Sequence, residues 1–144
     1  MTLDPLAGMV VVLAAPAGGD ESASDHLAVP AGAELLASGA LVAAVTTNIG
    51  VIDDLGRNAD LHGVDAPVSW RADPVDLSTW ERLYAHIEQR LGPVDAVLAD
   101  PAALDVVESV FRPDMLRRGH GVIVALSGPH DPVAAIRQQL RRTP

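Results

Sequence analysis

The 144 residues include 19 acidic and 10 basic side chains, for a formal net charge of −9, and no cysteine. This charge argues against nucleic acid and anionic membranes as partners, and the lack of cysteine excludes disulfides, thiolate catalysis and cysteine-ligated zinc. All 10 basic residues are arginine, which excludes Schiff-base chemistry and the lysine of a phosphate-binding loop. No apolar run is long enough to span a membrane, and Asp4 replaces the basic start of a signal peptide, so we expect a cytoplasmic protein.

Short apolar runs alternate with longer segments along the chain. Continuous apolar runs rich in β-branched residues predict strands that are buried on both faces. The predicted strands cover residues 9–15, 40–45, 68–71, 94–98 and 122–126. Helices are predicted at 30–38, 79–91 and about 105–118, with a last helix after Asp131; residues 18–30 and 46–63 are predicted loops, the second with at most one helical turn.

The helix at 79–91 has the strongest pattern. Ser78 and Glu81 fit a capping box, and apolar side chains recur on one face from Trp80 to Leu91. Pro30 fits the first turn of the preceding helix, and Pro113 is expected to kink or split the helix at 105–118. The alternation of buried strands with helices predicts a single α/β domain over residues 1–144, with a parallel sheet covered on both faces.

Several segments, in this order, resemble the short-chain dehydrogenases/reductases. These are "LAGMVVVL", "AGAELLASGALVAAV", "ADPVDLSTWERLYAHIEQRLGPVDAVL" and "VVESVFRPDMLRRGHGVIVALSG". The resemblance implies a three-layer, Rossmann-like, doubly wound parallel sheet of about five strands in the order 3-2-1-4-5. It also implies a C-terminally truncated member, because the family's substrate-binding half would follow Pro144.

The family's phosphate loop, Thr-Gly-x-x-x-Gly-x-Gly, is degenerate in this chain. Ala14 and Ala15 stand at its Thr and first Gly, Gly19 keeps the second Gly, and Glu21 replaces the third. Such glycines let the backbone approach a pyrophosphate at a helix N-terminus. Asp20 and Glu21 bring negative charge instead, and a like-charge pair at about 4 Å costs roughly 4 kcal/mol at an effective dielectric near 20. We therefore expect no cofactor, although a displaced loop would leave residual NAD(P) binding open.

Weak remnants of cofactor recognition are Gly19, Thr46 and Asp73. Thr46 ends the second strand, where the family usually has a charged residue for the ribose or its phosphate. Asp73 aligns with the family's Asp near the adenine, and it also precedes Pro74, so the alternative is that it simply initiates a turn.

The family's catalytic residues have no counterparts. Its Asn-Asn-Ala-Gly appears as "ADPA" at 99–102, and Gly128 aligns with the catalytic serine while Ser127 is its neighbour. A shift by one residue in a strand points a side chain to the other face. The family's Tyr and Lys are absent, so we assign no catalytic residue and do not expect the reductase activity.

The five histidines suggest no metal site. His26, His62, His86, His120 and His130 show no ligand spacing. His130 and Asp131 follow a strand at the edge where open α/β sheets bind ligands, but Asp131 is equally explained as a helix cap.

Three functions from different classes remain open. The first is a non-catalytic structural or regulatory subunit that associates with itself or with a partner such as a complete reductase. The second is a nucleotide or small-ligand sensor that uses the remnants at Gly19, Thr46 and Asp73. The third is an enzyme of other chemistry at the strand ends, with candidate residues Ser127, His130, Asp100 and Asp131. Association is expected because 49% of the residues are hydrophobic and the fifth strand would lie at an exposed edge.

Overall fold

The computed structural model describes residues 5–15, 23–65, 67–126 and 131–142. Strands and helices alternate through these ranges. The strands are β1 (Val10–Ala14), β2 (Leu41–Thr46), β3 (Val68–Arg71), β4 (Ala96–Ala99) and β5 (Val122–Ala125). The helices are α1 (Ala23–Ala37), α2 (Ile49–Leu61), α3 (Leu77–Leu91), α4 (Leu104–Arg118) and α5 (Pro132–Arg142), with a short 3-10 helix at Pro101–Ala103.

The five strands form one parallel sheet in the order β3-β2-β1-β4-β5. The central strand β1 pairs on both sides, with Val12 opposite Ala43 of β2 and Val97 of β4. The predicted fold class and strand order are confirmed. Since β1 and β4 are followed by connections that leave in opposite directions, the point between them is the topological switch point of the sheet.

Helices cover both faces of the sheet, which explains the continuous apolar strands. On one face α1, α2 and α5 pack against alternate strand residues such as Val11 and Leu13. On the other face α3 and α4 pack against the intervening residues, such as Val12 and Val97. With aromatics at only 3% of the chain, the aromatic contacts gather on this second face, where the Trp80 and Phe111 rings meet edge to face at 5.3 Å.

Helix α3 confirms the predicted apolar face but corrects its cap. Trp80, Leu83 and Ile87 are buried as expected. The residue at the cap is Asp76, whose side chain accepts a hydrogen bond from the Ser78 N–H at 3.0 Å, so the helix begins two residues earlier than predicted. The predicted capping box at Ser78 was wrong because Asp76, two residues earlier, is an equally good cap and takes that position.

Helix α2 was missed, because residues 46–63 were predicted to be mostly loop. Its buried residues are Val51, Leu55 and Ala59, at intervals of four. Gly50 and Gly56, also within the helix, weaken its helical propensity. Close packing compensates, because α1 approaches α2 at Gly32. A Cβ at Gly32 would lie 2.5 Å from Leu55 Cδ2.

Helix α1 begins at Ala23, seven residues before the predicted start at Pro30. Pro30 therefore lies inside the helix, where it removes one backbone hydrogen bond. Its ring is exposed, while Ala28, Ala31 and Leu35 are buried on the core side. Pro113 likewise lies on the exposed side of α4 and does not split that helix. Burial of the opposite face outweighs the lost backbone bonds.

The predicted C-terminus of α4 and the predicted cap at the start of α5 are confirmed. Gly119 ends α4 in the left-handed conformation with φ +68°, and Asp131 caps α5. Within the described ranges, no helix is long and apolar enough to cross a membrane.

Candidate functional site at the carboxyl edge of the sheet

The carboxyl ends of β1 and β4 meet at the switch point, where open α/β sheets bind ligands. The backbone N–H of Asp100, directly after β4, donates to the carbonyl of Ala14 at 2.9 Å, and the Ala15 N–H donates to Val45 at 3.1 Å. The first turns after these strands are therefore fixed to one another. Gly19, Asp20 and Glu21 in the loop after β1 lie outside the described residues.

Asp100 is a carboxylate at this edge that is only 8% exposed. Its Oδ2 accepts a hydrogen bond from the Ala102 N–H at 2.8 Å, and its backbone carbonyl accepts one from Ala103 at 2.8 Å. Asp100 thus caps the short 3-10 helix that leads into α4. The positive end of a helix favours a carboxylate at this place, so the charge is stabilised by the fold itself.

Thr46 lies at the end of β2 and is 1% exposed. Its Oγ1 accepts a hydrogen bond from the Asn48 N–H at 3.0 Å, and Asn48 in turn caps α2 by accepting from the Gly50 N–H at 2.9 Å. The Thr46 hydroxyl oxygen, interpreted from the sequence as a weak remnant of cofactor recognition, therefore accepts a hydrogen bond where the chain turns from β2 into α2.

Asp73 is exposed in the turn between β3 and α3. Its Oδ1 accepts from the Val75 N–H at 3.0 Å, and its carbonyl accepts from the Asp76 N–H at 3.2 Å. The indole N–H of Trp80 donates to the Pro74 carbonyl at 2.7 Å and holds the turn against the buried start of α3. This geometry favours the alternative in which Asp73 initiates a turn.

The other candidates at the strand ends are only partly visible. Ser127 and His130 lie outside the described residues. Asp131 is exposed, and its Oδ1 accepts from the N–H groups of Val133 and Ala134, both at 3.1 Å. Asp131 thus has the capping role that the sequence offered as the alternative to catalysis.

A cluster at the opposite, amino edge of the sheet was not predicted. The carboxylate of Asp95 accepts a hydrogen bond from the Val10 N–H at 2.8 Å and lies 3.0 Å from His120 Nε2. Arg118 approaches the same carboxylate at 4.0 Å, and its guanidinium also donates to the Val94 carbonyl and to Asp114. The only signal in the sequence was that Asp95 lies at the start of the predicted strand 94–98 and His120 lies shortly before the predicted strand 122–126, since parallel strands begin at one edge.

This cluster connects neighbouring strands of the sheet by hydrogen bonds. Asp95 connects the starts of β1 and β4 through its side chain, and its backbone carbonyl accepts from the Val122 N–H of β5 at 3.1 Å. In the described part of the chain, no three His, Cys, Asp or Glu side chains are grouped as metal ligands would be.

Solved structures resemble this chain, whereas no protein-family model and no curated protein matches it. An NAD+-bound xylitol dehydrogenase superposes with a TM-score of 0.65 at 15% identity, over 96% of this chain and 61% of that one. A short-chain type dehydrogenase/reductase from Mycobacterium marinum gives 0.68 at 14%, over 85% and 57%. L-sorbose reductase from Gluconobacter frateurii, complexed with NADPH and L-sorbose, gives 0.64 at 12%, over 96% and 63%.

These similarities show the fold. It is the Rossmann-like fold of the short-chain dehydrogenases/reductases, as the sequence resemblance implied. The chain spans less than two thirds of the length of each of these three structures.

Proposed function

We propose that this protein is a non-catalytic relative of the short-chain reductases, a structural or regulatory subunit that associates in the cytoplasm with itself or with a partner such as a complete reductase. The observation that carries the proposal is the Asp100 carboxylate, fixed and nearly buried at the switch point of the sheet.

The charge at this edge disfavours a dinucleotide. Both strands at the switch point are followed by acids, with Asp100 directly after β4 and Asp20 and Glu21 in the loop after β1. A diphosphate bound within about 4 Å of one such carboxylate would lose roughly 4 kcal/mol at an effective dielectric near 20. That loss corresponds to a weakening of about a thousandfold in affinity.

Two of the recognition elements, Thr46 and Asp73, already accept internal hydrogen bonds. Thr46 accepts from Asn48, and one oxygen of Asp73 accepts from Val75. Neither contact needs a ligand, which supports a scaffold that is stable without its cofactor.

Calorimetric titration with NAD(H) and NADP(H) tests the loss of the cofactor site. We expect no submillimolar binding. The Asp100→Asn variant keeps a side-chain oxygen for the cap and removes the charge, so any residual binding should increase in that variant. Submillimolar binding by the unaltered protein would contradict the proposal and favour the sensor function.

The association is tested by light scattering. Two features support it: the edge strand β5 pairs only with β4 within the described sheet, and Leu116 on the neighbouring helix is 72% exposed. We expect a solution mass at micromolar concentration that exceeds the 15.0 kDa of one chain, alone or with a co-purified partner. A clean monomer at micromolar concentration with no co-purified partner would contradict it.

A further inference from the structure

A groove lies between the edge strand β3 and helix α3, away from the switch point. It has a volume of about 400 Å³, within the range of small-molecule sites. We call it the β3–α3 groove; its lining residues are Trp70, Arg71, Ala72, Arg82, Leu83 and His86. None of them is among the proposed remnants of cofactor binding.

Trp70 lines this groove and carries one hydrogen-bond donor, its indole N–H. The residue is half-buried, and its indole N–H has no protein acceptor among the described residues. The contrast is Trp80, fully buried, whose indole N–H donates to the Pro74 carbonyl. Tryptophans usually have a hydrogen-bond partner for this N–H when they are buried, so a ligand that covers Trp70 needs to supply an acceptor.

Arg82 supplies positive charge. In the described part of the chain no carboxylate lies within 4.0 Å of its guanidinium, whose Nε is 3.4 Å from the Ser78 carbonyl. The positions one turn away on α3 explain this, since they are Ser78, Thr79, Ala85 and His86 and include no acid.

The donors on the groove are complementary to an anion. An indole and a guanidinium donate hydrogen bonds and accept none, and the His86 ring, one turn beyond Arg82, offers a further N–H. Ala72 and Leu83 add apolar surface. Arg71 also lines the groove, but strand alternation directs its side chain to the face opposite Trp70, so its charge is not counted.

We propose that the β3–α3 groove binds a small organic anion, with its phosphate or carboxylate oxygens toward Arg82 and Trp70 and a flat or apolar body against Trp70 and Leu83. This site goes beyond the proposed function and does not depend on it, because it uses neither the switch point nor an association surface.

The test is a titration with phenyl phosphate, followed by tryptophan fluorescence. Since Trp80 is fully buried, a change in emission reports mainly on Trp70. We expect saturable binding with a Kd of about 1 mM or below, and binding at least tenfold weaker for inorganic phosphate and for phenol alone. The Trp70→Phe variant should lose the signal.

Arg82→Gln provides the decisive comparison. We expect it to weaken phenyl phosphate binding by about tenfold, as befits a charge-assisted hydrogen bond. Arg90→Gln is the matched control, because Arg90 is exposed on the same helix and does not line the groove. The affinity of this variant for phenyl phosphate should be unchanged.

Two results would overturn the proposal. One is the absence of a saturable change with phenyl phosphate in the unaltered protein. The other is an equal loss of affinity in Arg82→Gln and Arg90→Gln, which would mean that only the overall charge matters. Thermal unfolding of each variant shows that it remains folded.

Discussion

Asp95 at the amino edge of the sheet gives the sharpest test of how this fold is held together. Its Oδ2 is 2.8 Å from the backbone nitrogen of Val10, which is only 4% exposed. Its Oδ1 is 3.0 Å from His120 and 4.0 Å from Arg118. The Asp95→Ala substitution removes both sets of contacts at once.

The two sets differ in their expected contribution. An unsatisfied buried N–H at Val10 costs about 1–3 kcal/mol. The pairs with His120 and Arg118, whose side chains are 31% and 26% exposed, contribute at most about 1 kcal/mol together. We therefore expect Asp95→Ala to lower the free energy of unfolding by about 1–4 kcal/mol.

Asp95→Asn separates the two contributions. An asparagine oxygen still accepts from the Val10 N–H, so this variant should lose only about 1 kcal/mol. Urea denaturation measures both variants, with Asp53→Ala on the exposed side of α2 as a control that should change stability by less than about 0.5 kcal/mol. If Asp95→Asn is as destabilising as Asp95→Ala, the charge and not the hydrogen bond to β1 is decisive, and the reasoning is refuted.

Three further predictions concern the fold. Gly121→Ala should destabilise the protein by about 2 kcal/mol in urea denaturation, because the φ of Gly121 is +150° and the added methyl group would overlap Met115. Gly56→Ala, in open space on α2, should instead stabilise it by about 0.5–1 kcal/mol. Equal effects of the two substitutions would contradict this reasoning. Asp76→Ala should lower stability by about 1 kcal/mol and Ser78→Ala by clearly less. The reverse order would support the capping box that was predicted from the sequence. Burial raises the pKa of Tyr84, the single tyrosine, to about 12, so its ultraviolet titration should show a midpoint well above 10. Because the unfolded side chain ionises near pH 10, this contribution to stability is full below about pH 10 and is lost between about pH 10 and 12; an ordinary midpoint would contradict it.

The strands were readable from the sequence because each is buried on both faces. Helix α3 was readable because its apolar residues repeat at helical spacing and Gly92 ends it. Both signals are local, and both survive in the structure. The strand order came from the resemblance to a family and was confirmed by the pairing of the strands.

Helices α1 and α2 were predicted poorly because their stability is not local. Pro30, Gly50 and Gly56 each weaken a helix in isolation. Packing of the two helices against each other at Gly32 and Leu55, and against the sheet, outweighs that weakness. No pattern within either segment reveals that contact.

The candidate site shows the same division. The sequence identified Asp73 and Asp131 as chemical candidates and offered a turn and a cap as their alternatives. The structure shows the turn hydrogen bond of Asp73 and the capping hydrogen bond of Asp131. It also shows a capping hydrogen bond to Asp100.

By itself the sequence determined the alternation of strand and helix, the negative charge, and the absence of lysine and cysteine, because these depend on composition and on periodicity within short segments. Only the tertiary structure brought Asp95 next to His120, and Trp70 next to Arg82. The physical reason is that parallel strands start at a common edge and their crossover helices lie across them, so residues distant in the chain become neighbours through the path of the backbone.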